Sequence, residues 1–96
     1  MELTKEEQLQ GLEYALEELE IEKFTRSNYP AYICLRLDRF LRINKIHSFY
    51  KGKEIWTCFG LKEKHYTKFQ GDFDNYDSRI KYLNKQISKR KKQLTK

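Results

Sequence analysis

Leu9, Leu12, Leu16 and Leu19 recur at spacings of three and four, flanked by Glu13, Glu17 and Glu20. That is the single apolar stripe of an amphipathic helix. Thr4 followed three residues later by Glu7 forms a capping-box pattern, and Glu6 and Glu7 suit the positive end of a helix dipole, so the stripe predicts a helix over 4–23. The stretch from Thr25 to Pro30 interrupts it. Ser27 and Asn28 are good caps there, and Pro30 is tolerated only in a first helical turn. A second helix is expected over 29–43, with Ile33, Cys34, Leu37, Phe40 and Leu41 on one face and Arg36, Arg39 and Arg42 slanting down another.

From Ile46 onward the residues turn strand-like around Gly52, which predicts a β-hairpin of Ile46 to Lys51 and Glu54 to Phe59, with His65 to Phe69 as a third strand. Gly71 to Asn75 reads as a turn, with Asp74 the cap of a last helix over 76–94. That helix carries Tyr76, Ile80, Leu83, Ile87 and Leu94 on one side and Lys81, Lys85, Lys89 and Lys92 on another. The expectation is a single α+β domain over residues 1–96: two N-terminal helices, a small antiparallel β-hairpin or three-stranded sheet over 46–69, and a long basic C-terminal helix on the sheet or on the first helix.

Composition fits one modest core: 96 residues, 39% hydrophobic and 35% charged. Six Phe, seven Tyr and one Trp argue against a disordered chain, which could not bury them. The longest apolar run, around Ala31 to Leu35, falls far short of the ~20 residues a membrane span needs. The acidic, polar start does not read as a secretory signal, which points to the cytoplasm, or to the cytosol or nucleus of a eukaryotic cell. Cys34 and Cys58 then read as small core residues rather than a disulfide.

Charge changes the picture more. Residues 1–22 hold eight Glu against one Lys, whereas residues 76–96 hold eight basic groups against Asp77, within a net charge of +6. The chain is acidic at its beginning and basic at its end. The narrow leucine and isoleucine stripes of the two terminal helices suit pairing with each other, glutamates facing lysines, or with copies of themselves in a homodimer.

No pattern identifies a reaction. Cys34, His47, Cys58 and His65 lack metal-ligand spacing, both thiols sit in apolar surroundings, the carboxylates are explained by a solvated helix face and by turns, and the four glycines form no phosphate loop. The expectation is a non-enzymatic protein without metal or cofactor.

Three basic groups are candidate nucleic-acid contacts. Arg36, Arg39 and Arg42 can bridge phosphates from one helix, and two helices before a hairpin is the order of a winged-helix fragment; the competing explanation pairs Arg39 or Arg42 with Asp38 or the acidic first helix. The hairpin interleaves Tyr50, Lys51, Lys53 and Trp56, the mixture of cations and rings that single-stranded nucleic acid stacks on, unless Trp56 simply fills the core. The last helix adds Lys81, Lys85, Lys89, Arg90 and Lys92, a source of affinity without sequence readout. The leading expectation is therefore a small basic nucleic-acid-binding or regulatory protein, taking DNA or RNA. The alternative is a protein-interaction module that docks Glu13, Glu17 and Glu20 or Tyr50 on an acidic or nucleic-acid-binding protein. Its small size and richness in Lys and Tyr are compatible with inhibitors and adaptors of phages and mobile elements.

Overall fold

The computed structural model describes residues 3–25, 33–46, 55–61 and 76–94. Among them every regular element is helical: α1 (Lys5–Thr25), α2 (Ile33–Ile43), the single turn α3 (Ile55–Cys58) and α4 (Tyr76–Leu94). The capping box forms in both directions. The Thr4 backbone N–H donates to Glu7 Oε1 at 2.8 Å and the Glu7 N–H to Thr4 Oγ1 at 3.1 Å. α2 ends in a Schellman motif: Ile46 N–H donates to the Leu41 carbonyl at 2.9 Å and Lys45 N–H to that of Arg42 at 3.1 Å, with Lys45 left-handed at φ 59°.

α1 is the middle helix, packing on both α2 and α4. Both neighbours run antiparallel to it. Glu22 meets Arg36 while Glu18 meets Arg39, and Lys23 meets Asp77 while Glu13 meets Lys91. The core is built from Leu12, Ala15 and Leu19 of α1, Ile33, Leu37, Phe40 and Leu41 of α2, Phe59 and Leu61 after α3, and Tyr76, Leu83 and Ile87 of α4. Leu9 and Leu16, read as part of the leucine stripe, are only partly buried. The fully buried side of α1 runs through the smaller Gly11 and Ala15 instead, which let neighbours approach closely.

The expected α+β architecture is not formed. The second strand of the hairpin, Glu54 to Phe59, is replaced over Ile55–Cys58 by a helical turn, and Ile46, expected to open the first strand, closes the α2 cap. The physical reason is tertiary. The Phe59 ring lies edge-on to Phe40, 6.3 Å between centroids, over Gly11, where an added Cβ would stand 2.3 Å from Phe59 Cε1. Gly60, at φ +71°, turns the chain away, and its N–H bonds the Thr57 carbonyl at 3.2 Å. Burying Phe59 in this way outweighs the weak strand preference of the β-branched and aromatic residues around it. The rest of the expected sheet (47–54 and His65 to Phe69) and the turn at Gly71 to Asn75 with Asp74 lie outside the described residues.

Candidate nucleic-acid interface

A spacing of three residues does not keep side chains on one line, because each step falls about 60° short of a full turn. Arg36, Arg39 and Arg42 therefore walk round α2 from the core outward, their side chains 0%, 35% and 60% exposed. The buried Arg36 donates from Nη2 to Glu22 Oε1 at 3.1 Å. Arg39 Nη1 donates to Glu18 Oε1 at 2.9 Å and lies 3.7 Å from Glu22 Oε2. Arg42 Nε donates to Asp38 Oδ2 at 2.8 Å. The three do not form a phosphate-facing row; the pairing with Asp38 and with the acidic helix is what the fold makes.

Glu22 is the key residue that the sequence reading passed over. It continues the buried series Leu12, Ala15 and Leu19 at the same alternation of three and four, so a carboxylate enters the α1–α2 seam where a leucine would be expected. A buried carboxylate needs a partner that offsets its desolvation, and Arg36 is that partner. Tyr14, one turn from Glu18, completes the seam: its hydroxyl donates to Glu18 Oε2 at 2.7 Å. Burial first and this hydrogen bond second push the Tyr14 phenol up to about 12.

Arg90 also turns inward. It is buried, and from Nη2 it donates to the Phe59 carbonyl at 2.7 Å and the Gly60 carbonyl at 3.2 Å, while Nη1 donates to Gln86 Oε1 at 2.8 Å. Gln8 of α1 donates from Nε2 to the Cys58 carbonyl at 2.9 Å. Two helices thus satisfy the carbonyls at the end of α3 and hold residues 55–61 across one side of the α1–α4 pair. Burial lowers the Arg90 guanidinium from its ordinary value.

Lys81, Lys85, Lys89 and Lys92 are exposed and lie along one face of α4, with Ser78, Asn84 and Ser88 among them. Spacings of four, four and three keep them within one ridge about 16 Å long. The single carboxylate of α4 is Asp77 in its first turn, joined to Lys23. None of Lys81, Lys85 and Lys89 is held in an ion pair with a described residue.

On α1, Glu13, Glu17 and Glu20 are likewise exposed along one face, which ends in Phe24, 83% exposed. Glu13 Oε2 lies 3.5 Å from Lys91 Nζ. The acidic and basic ridges are therefore neighbours, joined along the seam by that pair.

No known family, curated protein or solved structure matches the chain. What it can do must be read from these surfaces. Tyr50, Lys51 and Lys53 lie outside the described residues, and Trp56 falls in α3 rather than in a strand. Among the described residues no three His, Cys, Asp or Glu side chains gather where a metal ion would be held, and Cys58 is a partly buried cysteine. No described helix is long and apolar enough to cross a membrane.

Proposed function

We propose that this is a small non-enzymatic nucleic-acid-binding or regulatory protein that contacts the phosphate backbone through the outer face of α4. The observation that supports this reading is the unbroken ridge of Lys81, Lys85, Lys89 and Lys92, exposed and without a carboxylate among its members. Lysines on a straight helix supply point charges to successive phosphates and read no base edges, so the reading is one of backbone affinity with little sequence preference. Arg36 and Arg90 are no part of this interface, since both are buried and bonded within the fold. Arg39 and Arg42 serve intramolecular pairs.

The test is fluorescence anisotropy of labelled single-stranded DNA, duplex DNA and RNA at several salt concentrations. About four phosphate contacts give a log–log salt slope of roughly −3 to −4 on duplex DNA. Replacing Lys81, Lys85 and Lys89 with Ala should flatten that slope by about 3 and weaken all three substrates together. No binding at low salt, or an unchanged slope in the triple variant, removes the ridge as a nucleic-acid site.

A further inference from the structure

We infer that the ridge-bearing side of this protein is self-complementary and seats a second copy of the chain, as a two-fold dimer in which the acidic ridge of each copy lies on the basic ridge of the other. The leucine stripes that would drive a coiled-coil dimer are used up inside the fold, because Leu12 and Leu19 of α1 and Leu83 and Ile87 of α4 are buried in one core. What the terminal helices still present to solvent is mainly charge, acidic on α1 and basic on α4, with Ile21, Phe24 and Leu94 as the large apolar side chains exposed on them. The opposite side of the pair is covered by residues 55–61 through Gln8 and Arg90. The ridges sit on the other side, joined at Glu13 and Lys91.

The register of the two helices makes the match specific. The pairs Glu13–Lys91 and Lys23–Asp77 fix which positions of antiparallel α1 and α4 lie level. Between those two rungs, Glu17 is level with Lys85 and Glu20 with Lys81, while Glu13 is level with Lys91 and so beside Lys89 and Lys92. A two-fold axis along the α1–α4 seam, parallel to both helices, preserves every height while exchanging the two helices. It therefore sets Glu20 against Lys81, Glu17 against Lys85 and Glu13 against Lys89 of the second copy, and the same three pairs again by symmetry. Phe24, level with the first turn of α4, adds apolar area from both copies at the same end of the contact. α1 of one copy again runs antiparallel to α4 of the other, as in the monomer.

Such a contact is held largely by exposed charges, so it is weak and governed by salt: the screening length is about 30 Å at 0.01 M and about 3 Å at 1 M. It occupies the lysines assigned above to phosphates, so dimer and nucleic acid exclude one another on this face, and its test is made on the protein alone.

The experiment is analytical ultracentrifugation of the full chain without nucleic acid, over a concentration series at low and at high salt, on three proteins checked for helicity by circular dichroism. These are the wild type, an acidic variant (Lys81→Glu, Lys85→Glu, Lys89→Glu) and a basic variant (Glu13→Lys, Glu17→Lys, Glu20→Lys). The wild type should approach dimer mass at low salt and return to monomer at high salt, with the dissociation constant rising at least about tenfold. Each variant alone should stay monomeric, and their equimolar mixture should form a heterodimer. A wild type that stays monomeric at low salt overturns the inference, as do variants that still self-associate, a folded pair that ignores each other, or open-ended growth beyond the dimer. Should a reversal variant lose its helicity, Lys81→Gln with Lys85→Gln must weaken the wild-type dimer, and an unchanged constant there also overturns it.

Discussion

At the scale of single residues, the charged seam between α1 and α2 ties stability to a proton. Tyr14 gives its hydrogen bond to Glu18, whose other oxygen accepts from Arg39, so ionising the phenol would set two anions side by side. Its folded value, pushed up to about 12, lies above the ordinary 10.0, so the folded protein holds this proton more tightly than the unfolded chain. The stabilisation is fully present below about pH 10 and is lost as the pH climbs through 12, because the unfolded chain releases the proton first. Tyr14→Phe should cost about 1.5–3 kcal/mol at neutral pH, the worth of a hydrogen bond to a charged acceptor. In urea titrations the gap between wild type and Tyr14→Phe should narrow from pH 10 upward. A gap that stays constant to pH 12 would show that this proton is not coupled to folding. The difference between the two proteins is the quantity to follow.

At the scale of elements, patterns with a helical period were legible and those without it were not. The stripes in the first, second and last helical segments fall on α1, α2 and α4, and the Thr4–Glu7 signature is a formed cap, because these features depend on residues within a few positions of one another. Residues 55–59 were misread because Ile, Trp, Thr and Phe favour a strand only as an average over contexts. Their conformation is set from far along the chain, by Gly11, Phe40, Gln8 and Arg90. The same distance hides Arg90, which in the sequence is one of four adjacent cations and in the fold alone closes the carbonyls of Phe59 and Gly60. Gly60 has no side chain to obstruct it; a Cβ there would stand 2.8 Å from Arg90 Nη2. Arg90→Met should keep the packing of the stem but orphan those carbonyls, costing about 1.5–3 kcal/mol. Hydrogen exchange should accelerate across residues 55–61 before it does in α1. Lys89→Ala, one position away on the exposed ridge, should change stability by no more than about 0.5 kcal/mol. Equal behaviour of the two variants would refute the clamp.

At the scale of the whole molecule, segregation of charge along the sequence becomes segregation in space, and the arginine stripe shows where that inference stops. Segment charge says that acidic α1 and basic α4 attract; it does not say which cations are consumed in holding α1 to its neighbours and which remain outside. That division follows from angular position on each helix: Arg36 and Arg90 fall on core-facing sides, whereas Lys81, Lys85 and Lys89 fall opposite. It also gives α1 a double burden, because both other long helices pack on it, and Leu12 and Leu19 belong to the one core that all three share. Without α4, these leucines and Phe59 would lose Leu83, Ile87 and the Arg90 clamp together, and the buried Glu22–Arg36 pair would have to be supported by a thinner shell. Two antiparallel helices of this size bury too little apolar area to offset the entropy of ordering them. A chain ending at residue 75 is therefore expected to lose α1 and α2 along with α4, with weak helical circular dichroism and no cooperative thermal transition, and a peptide of residues 76–96 should restore both when added in trans. A cooperative transition in the shortened chain alone would mean that α1 and α2 fold as an independent hairpin, and that α4 is a basic arm laid on a finished scaffold instead of a wall of the core.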